Sequence, residues 1–154
     1  MIAGVRITSA CSAALLIALT ACSSGAKPGQ HKETDQAAGR NTTCAKQAAG
    51  HAVKVPAGFP VDFPVPAGMI ITTAQDRGKG GLVITGVTAT KFADVLRALQ
   101  TELPAKGYTP ENGEVEPHDA ESDWTAAAYS GRWAIRELEE CGGDTAVSVV
   151  ARKK

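Results

Sequence analysis

The chain has 154 residues, of which 44% are hydrophobic and 21% are charged, and this composition fits a globular protein and excludes wholesale disorder. Lys and Arg together number 16, and so do Asp and Glu, so the basic excess typical of proteins that bind nucleic acid or anionic lipid headgroups is absent. Aromatic residues make up only 5%, so the core must be built mainly from aliphatic side chains. Nucleic acid is therefore not an expected partner.

The first 21 residues have the layout of a secretory signal peptide. A single charged residue, Arg6, precedes the apolar run 13–19, which leads into Leu-Thr-Ala-Cys at 19–22. The apolar run is much shorter than the roughly 20 residues that cross a bilayer as a helix, so we expect residues 1–21 to be removed. The mature chain then carries 16 − 1 = 15 basic side chains against 16 acidic ones, a net charge of about −1.

Leu19-Thr20-Ala21-Cys22 resembles the lipobox of bacterial lipoproteins, with small residues at the two positions before the cysteine and Leu before them. The resemblance covers only the leader. It implies cleavage before Cys22 and lipidation of its thiol, with anchoring by several acyl chains such as palmitate at the extracytoplasmic face of the cell membrane. Ordinary signal-peptidase cleavage is the alternative, but Leu19 and Ala21 make a poor pair of small residues around such a cut.

Residues 22–43 are expected to form a flexible tether. From Ser23 to Thr43 there is no aromatic residue and no Val, Ile, Leu or Met, so this segment cannot bury enough apolar area to offset its ordering entropy. A coil of this length reaches about 25 Å. One domain is predicted over residues 44–154.

This domain begins with a proline-rich belt. Four prolines fall between positions 56 and 66, which excludes a helix there and predicts an extended segment over 55–68. Phe59, Phe63 and Val65 are expected to insert into the core. A role as a ligand for an aromatic groove is the alternative reading of so many prolines.

After the belt the pattern predicts strands at 69–74 and 82–88, joined by a Gly-rich hairpin loop. Apolar residues then recur with helical spacing, which predicts a helix that starts at Thr88 or Thr90 as its cap and is interrupted by Pro104. The apolar stripe of this helix consists of Phe92, Val95, Leu96, Leu99 and Leu103.

Three more strands are predicted at 124–130, 132–140 and 145–152, with turns at Ser130-Gly131 and 141–144. The order is β-β-α-β-β-β. The short turns favour antiparallel neighbours, so the predicted fold class is α+β, an antiparallel sheet of about five strands with one helix packed on one face.

The densest acidic cluster lies in segment 111–123, which the sequence assigns to a solvated connection or an edge strand. Asp119, Glu121 and Asp123 alternate as in calcium loops, but Trp124 stands where such a loop needs Gly. The histidines share no ligand spacing. A metal site at Cys44, His51 and Cys141 is conceivable, but no metal and no other cofactor is predicted.

Cys44 and Cys141 are expected to form a disulfide. Cys11 leaves with the signal peptide and Cys22 takes the lipid, so two thiols remain in a compartment that favours oxidation. This bond would pin the proline belt against the end of the sheet.

No catalytic residues are predicted, because neither a Gly-x-Ser-x-Gly elbow nor a Ser-x-x-Lys pair is present. The leading hypothesis is a non-catalytic binding or interaction module for an unknown envelope protein or ligand, with the sheet face opposite the helix as the contact surface. The alternative is a small-ligand carrier or an envelope hydrolase using the acidic loop 111–123 and Trp124. Core positions are nevertheless favoured for both Trp124 and Trp133.

Overall fold

The computed structural model describes residues 43–154, so the predicted signal peptide, Cys22 and all but the last residue of the predicted tether lie outside the described residues. Within this range there are six strands and two α-helices. The helices are α1 (Ala45–Ala48) and α2 (Phe92–Ala105), and the strands are β1 (Ile70–Asp76), β2 (Leu82–Thr88), β3 (Thr109–Val115), β4 (Asp119–Thr125), β5 (Tyr129–Leu138) and β6 (Asp144–Lys153).

All six strands form one antiparallel sheet in the order β1-β2-β6-β5-β4-β3. The antiparallel sheet was predicted, but its five-strand layout was not right, and the described part of the molecule is mainly β. The longest strands, β5 and β6, pair along their full length in the middle of the sheet. The two edges are β1 and β3.

The strand that the prediction lacked is β3. Its sequence, Thr-Pro-Glu-Asn-Gly-Glu-Val, contains one aliphatic residue, and every residue in it is exposed. Strand prediction relies on apolar alternation, and an edge strand with no buried residue does not show it. The first part of the acidic segment 111–123 is thus an edge strand, one of the two interpretations that the sequence left open, whereas its last part lies in β4, which has neighbours on both sides.

The predicted strands 124–130 and 132–140 were also displaced. The turn lies at residues 126–128, not at Ser130-Gly131, and Gly131 pairs with Ala151 inside β5. A Cβ at Gly131 would collide with the Val150 carbonyl and with the Trp124 indole. Gly131 is therefore needed for a close approach inside the sheet, a role that sequence alone does not separate from a turn.

Helix α2 packs on one face of the sheet through the predicted stripe. Phe92, Val95, Leu99 and Leu103 are buried, and Leu96 is partly buried against the same core. The predicted cap was wrong, because the helix begins after Lys91 and has no side-chain cap. Pro104 lies in its last turn rather than interrupting it.

The proline-rich belt completes the cover of this face. Phe59 and Phe63 are 4% and 5% exposed and belong to the core, as predicted. The Tyr108 hydroxyl donates to Asp62 at 2.6 Å, and the Tyr129 hydroxyl donates to the Gly58 carbonyl at 3.1 Å. These bonds connect the belt to the residue before β3 and to the first residue of β5.

The opposite face carries small and branched side chains. Helix α1 packs over one end of it, where Ala45 and Ala48 share a buried cluster with strand residues Val87, Leu138 and Ala146. Further along this face Val83, Ala134, Ser148 and Val150 are also buried.

Candidate functional site

The predicted lipidation site, Cys22, lies outside the described residues. The predicted disulfide partners are joined in the structure: the sulfurs of Cys44 and Cys141 are 1.97 Å apart. The Ala45 amide also donates to the Asp144 carboxylate at 2.8 Å. The bond and the amide contact together hold α1 at the start of β6.

Within residues 43–154, the one group of side chains close enough to share a metal is Cys44, Cys141 and Asp144. The predicted alternative set contained His51, which is not in this group. Both sulfurs are used by the disulfide, and thiolates are needed to bind a metal. The oxidised protein therefore offers one carboxylate at this position.

The acidic segment 111–123 is a hairpin made of β3 and β4. Asp119, Glu121 and Asp123 alternate along β4 and so project from the same face of the sheet. Each of them has a guanidinium partner on β5, as Arg136 contacts Asp119 and Arg132 contacts Glu121 and Asp123. The alternation that resembles a calcium loop thus serves cross-strand ion pairs.

The Arg132 side chain is 3% exposed, and that of Glu121 is 12% exposed. A buried guanidinium needs its carboxylates, because removal of one partner from such a pair costs about 3–5 kcal/mol. These groups hold the hairpin on the sheet.

A second polar contact holds the turn of the hairpin. His118 Nδ1 lies 2.7 Å from Glu137 Oε2 and 3.7 Å from Glu139 Oε1. The hydrogen bond to Glu137 raises the pKa of His118, and the nearby negative charges act in the same direction. The Glu137 amide also donates to the His118 carbonyl at 2.8 Å.

Both tryptophans occupy the core, as favoured by the sequence. Trp124 is fully buried and packs against Phe63 and Tyr108, with ring centroids 5.3 Å and 5.2 Å away. Burial, and next the hydrogen bond to Asp62, raise the pKa of Tyr108. Since Trp124 has no exposed surface, the alternative of a ligand stacked on Trp124 has no geometric support.

An apolar groove lies between the second half of α2 and the hairpin, with a volume of about 170 Å³. Its walls are Leu99 and Leu103 of the helix and Gly113 and Val115 of β3, and Trp133 lines it from β5. Within residues 43–154, the buried indole Nε1 of Trp133 has no hydrogen-bond partner.

The sequence did not predict this groove, because it is lined by four elements, α2, β3, β4 and β5, that meet only in the fold. Leu99, Leu103 and Trp133 were assigned to the core, which is correct, but Gly113 and Val115 were not assigned a role. The available signal was Val115, a lone aliphatic residue among acids, and it is 59% exposed.

A second hollow of about 200 Å³ lies on the other side of the hairpin. It is lined mainly by charged groups, including Glu114, Glu116, Asp119, Glu121 and Arg136. The acidic groups of β4 in it already pair with Arg, so this hollow is a less suitable place for an apolar ligand than the groove.

None of the helices in residues 43–154 is long and apolar enough to cross a bilayer. Comparisons of the chain with protein-family models, with curated proteins and with solved structures found no match.

Proposed function

We propose that this protein is a lipid-anchored, non-catalytic interaction module of the cell envelope. The lipobox at Leu19-Thr20-Ala21-Cys22 supports the anchor, which places the domain at the extracytoplasmic face of the cell membrane with residues 22–43 as its tether. The observation that carries the interaction role is the groove beside β3, since an apolar groove at a sheet edge is suited to bind part of another molecule.

The contact surface in this proposal differs from the surface expected from the sequence. The sheet face opposite α2 has buried side chains at its centre, including Val83, Ser148 and Val150. In contrast, all of β3 is exposed and the groove opens beside it. The edge of the hairpin is therefore the better-supported contact surface.

The chemistry of the groove also supports binding over catalysis. Leucine, valine and the Trp133 indole ring line it and offer no acid, base or nucleophile. Two polar residues of β4 also line it, but the Glu121 carboxylate is paired with Arg132 and the Ser122 hydroxyl donates to the Asp123 carbonyl. Glu111 at its border accepts a hydrogen bond from Thr125 at 3.0 Å, a contact that orders the hairpin.

The anchor is tested with the variant Cys22→Ala. We expect it to remain unprocessed or to leave the membrane fraction, and to lose all label when cells are grown with radioactive palmitate. The matched control is Cys11→Ala, which changes a leader cysteine outside the lipobox and should keep full labelling. Equal labelling of the Cys22→Ala protein and the wild type would refute the anchor.

The contact surface is tested by site-specific photo-crosslinking of the full lipoprotein in intact cells. A photoreactive residue at Val115 should give a discrete adduct with one envelope protein, identified by mass spectrometry. The control position is Thr101, which is exposed on α2 and bonds only to helix carbonyls. The same adduct from both positions, or none from Val115, would contradict the proposed surface.

A further inference from the structure

Strand β3 presents unpaired backbone groups along its outer edge. The Glu116 amide donates to the Asp119 carbonyl at 2.7 Å, so Glu116 belongs to the hydrogen-bonded class of the β3–β4 ladder. Paired residues in an antiparallel ladder alternate between bonded and non-bonded classes, so Gly113 and Val115 direct their N–H and C=O groups away from β4. Within residues 43–154, no backbone group forms a hydrogen bond with these outward-facing N–H and C=O groups.

The size of the groove indicates what can enter it. Small-molecule sites usually have volumes of about 300–1,000 Å³, whereas this groove has about 170 Å³. It is better matched to one aliphatic side chain than to a cofactor or a drug-sized ligand. Since Gly113 and Val115 both line the groove, a strand laid along β3 would place such a side chain at its entrance.

The charge of the edge favours one kind of strand. Residues 109–117 contain Glu111, Glu114 and Glu116 and no Lys or Arg. Like charges on neighbouring strands are destabilising and opposite charges are stabilising. A second copy of this chain would bring the same acids to the edge, so β3-to-β3 pairing is disfavoured and a basic strand is favoured.

We propose that β3 binds an extended, basic segment of another protein as a seventh strand of the sheet. Gly113 and Val115 supply the backbone hydrogen bonds, Glu114 and Glu116 attract the basic side chains, and the groove accepts one aliphatic side chain of the segment. This proposal deepens the proposed function and rests on it.

The register shift between Pro110 and Gly113 limits the length of the contact. Pro110 has no N–H to offer, and a bulge turns the strand away from regular pairing. The added strand is therefore confined to residues 113–116, which predicts a weak, reversible complex.

The experiment uses the full lipoprotein in detergent and a fluorescent peptide of alternating Lys and Val, with binding followed by anisotropy. Matched peptides change one feature each: one replaces every Lys by Glu, and one carries N-methyl groups on the amides of a single edge. We expect the Lys-Val peptide to bind, and each matched peptide to bind at least about tenfold more weakly at low salt.

The matched protein variants are Val115→Pro and Val115→Thr. Proline removes the outward N–H that β4 does not use, whereas threonine keeps that N–H and the branched shape. We expect Val115→Pro to weaken binding by up to about tenfold and Val115→Thr by less than about twofold. Circular dichroism melts identify any loss of folding, and in that case edge N-methylation of the peptide provides the same test on the unchanged protein.

Equal binding of the N-methylated peptide would overturn strand addition, and equal binding of the Glu-Val peptide would overturn the preference for a basic segment. If the protein forms dimers and Val115→Pro abolishes them, the segment that binds β3 is a second copy of this chain and the proposed basic partner is wrong. If no peptide binds but the Val115 photo-crosslink forms, the strand proposal fails and the interaction module stands; if both fail, the proposed function fails too.

Discussion

The two edges of the sheet are completed in different ways. At the edge formed by β1, which we call the closed edge, the Val53 amide donates to the Ile71 carbonyl at 2.8 Å, so a preceding segment of the chain covers part of the strand. At the edge formed by β3, the open edge, all residues are exposed. Among the described residues, none supplies a backbone hydrogen-bond partner for the outward-facing groups of Gly113 or Val115.

An uncovered edge strand risks pairing with other chains, and proteins limit that risk with charge, proline and bulges. The open edge has all three, namely its glutamates, Pro110 and the register shift that follows Pro110. Protection by charge is selective, because acidic strands are repelled and basic strands are not. The residues that disfavour self-association thus also favour a basic partner.

The largest expected effect contrasts the centre of the sheet with the open edge. A Cβ at Gly131 would collide with the Val150 carbonyl and the Trp124 ring. These two groups lie on β6 and β4, which have neighbouring strands on both sides and cannot move away. A Cβ at Gly113 would crowd the Glu121 carbonyl, but β3 has a neighbour on one side only and can move outward. We expect Gly131→Ala to cost about 3 kcal/mol or more and Gly113→Ala about 1 kcal/mol.

Urea unfolding of both variants measures this difference. Because each change adds one methyl group to a strand glycine, the two variants are matched in chemistry. Equal losses of unfolding free energy would show that the open edge is held as tightly as the centre and would weaken the contrast between them.

The centre of the fold was more predictable from the sequence than its edges. The buried stripe of α2 was predictable because burial of one helix face gives the apolar residues a helical spacing in the sequence. The two phenylalanines of the belt were predictable because aromatic residues are scarce in this chain and the core needs them. Cys44 and Cys141 were paired by elimination. Strand β3 was not assigned, because its residues are exposed and no burial pattern marks it.

Two further features lay beyond the sequence for a different reason. The sequence predicts a turn at Gly131, because a glycine that leaves room for a neighbouring indole ring cannot be distinguished by sequence from a glycine that a tight turn requires. The groove needs Leu99, Gly113 and Trp133 together, and their approach depends on how α2 crosses the sheet. Three-dimensional packing decides both cases.

The second prediction separates the closed edge from the open edge by removing the disulfide. Cys44 and Cys141 are 97 positions apart, and closing a loop of about 100 residues is worth up to about 4.7 kcal/mol in the chain-entropy model. We expect the Cys44→Ser, Cys141→Ser double variant to lose about 2–4 kcal/mol of unfolding free energy.

Hydrogen exchange shows where that loss acts. The Val53 amide should exchange faster in the double variant, because its segment is no longer held at the end of the sheet, whereas amides between β3 and β4 should change little under native conditions. Mass spectrometry after alkylation without reduction should find both cysteines unmodified in the wild type. Labelling of both, or equal exchange changes at the two edges, would contradict this division.

The smallest expected effect concerns the turn of the open-edge hairpin. The hydrogen bond to Glu137 raises the pKa of His118 above its ordinary value of about 6.5. Because the folded-state pKa is raised, the stabilisation of the hairpin by protonated His118 is fully present below a pH of about 6.5 and is lost as the pH rises through the folded-state pKa. The β3–β4 amides should therefore exchange faster at high pH, after correction for intrinsic exchange, and the Val53 amide should not.

NMR titration of the His118 ring, assigned by comparison with His118→Gln, tests the cause. In Glu137→Gln the pKa of His118 should fall toward its ordinary value, because an amide at this position accepts a hydrogen bond but carries no negative charge. The matched control is Glu140→Gln, which removes an exposed carboxylate that does not contact His118. If both variants give the wild-type pKa, the Glu137 carboxylate does not hold the turn, and the side-chain contacts that remain for the hairpin are the Arg132 and Arg136 ion pairs and the bond from Thr125 to Glu111.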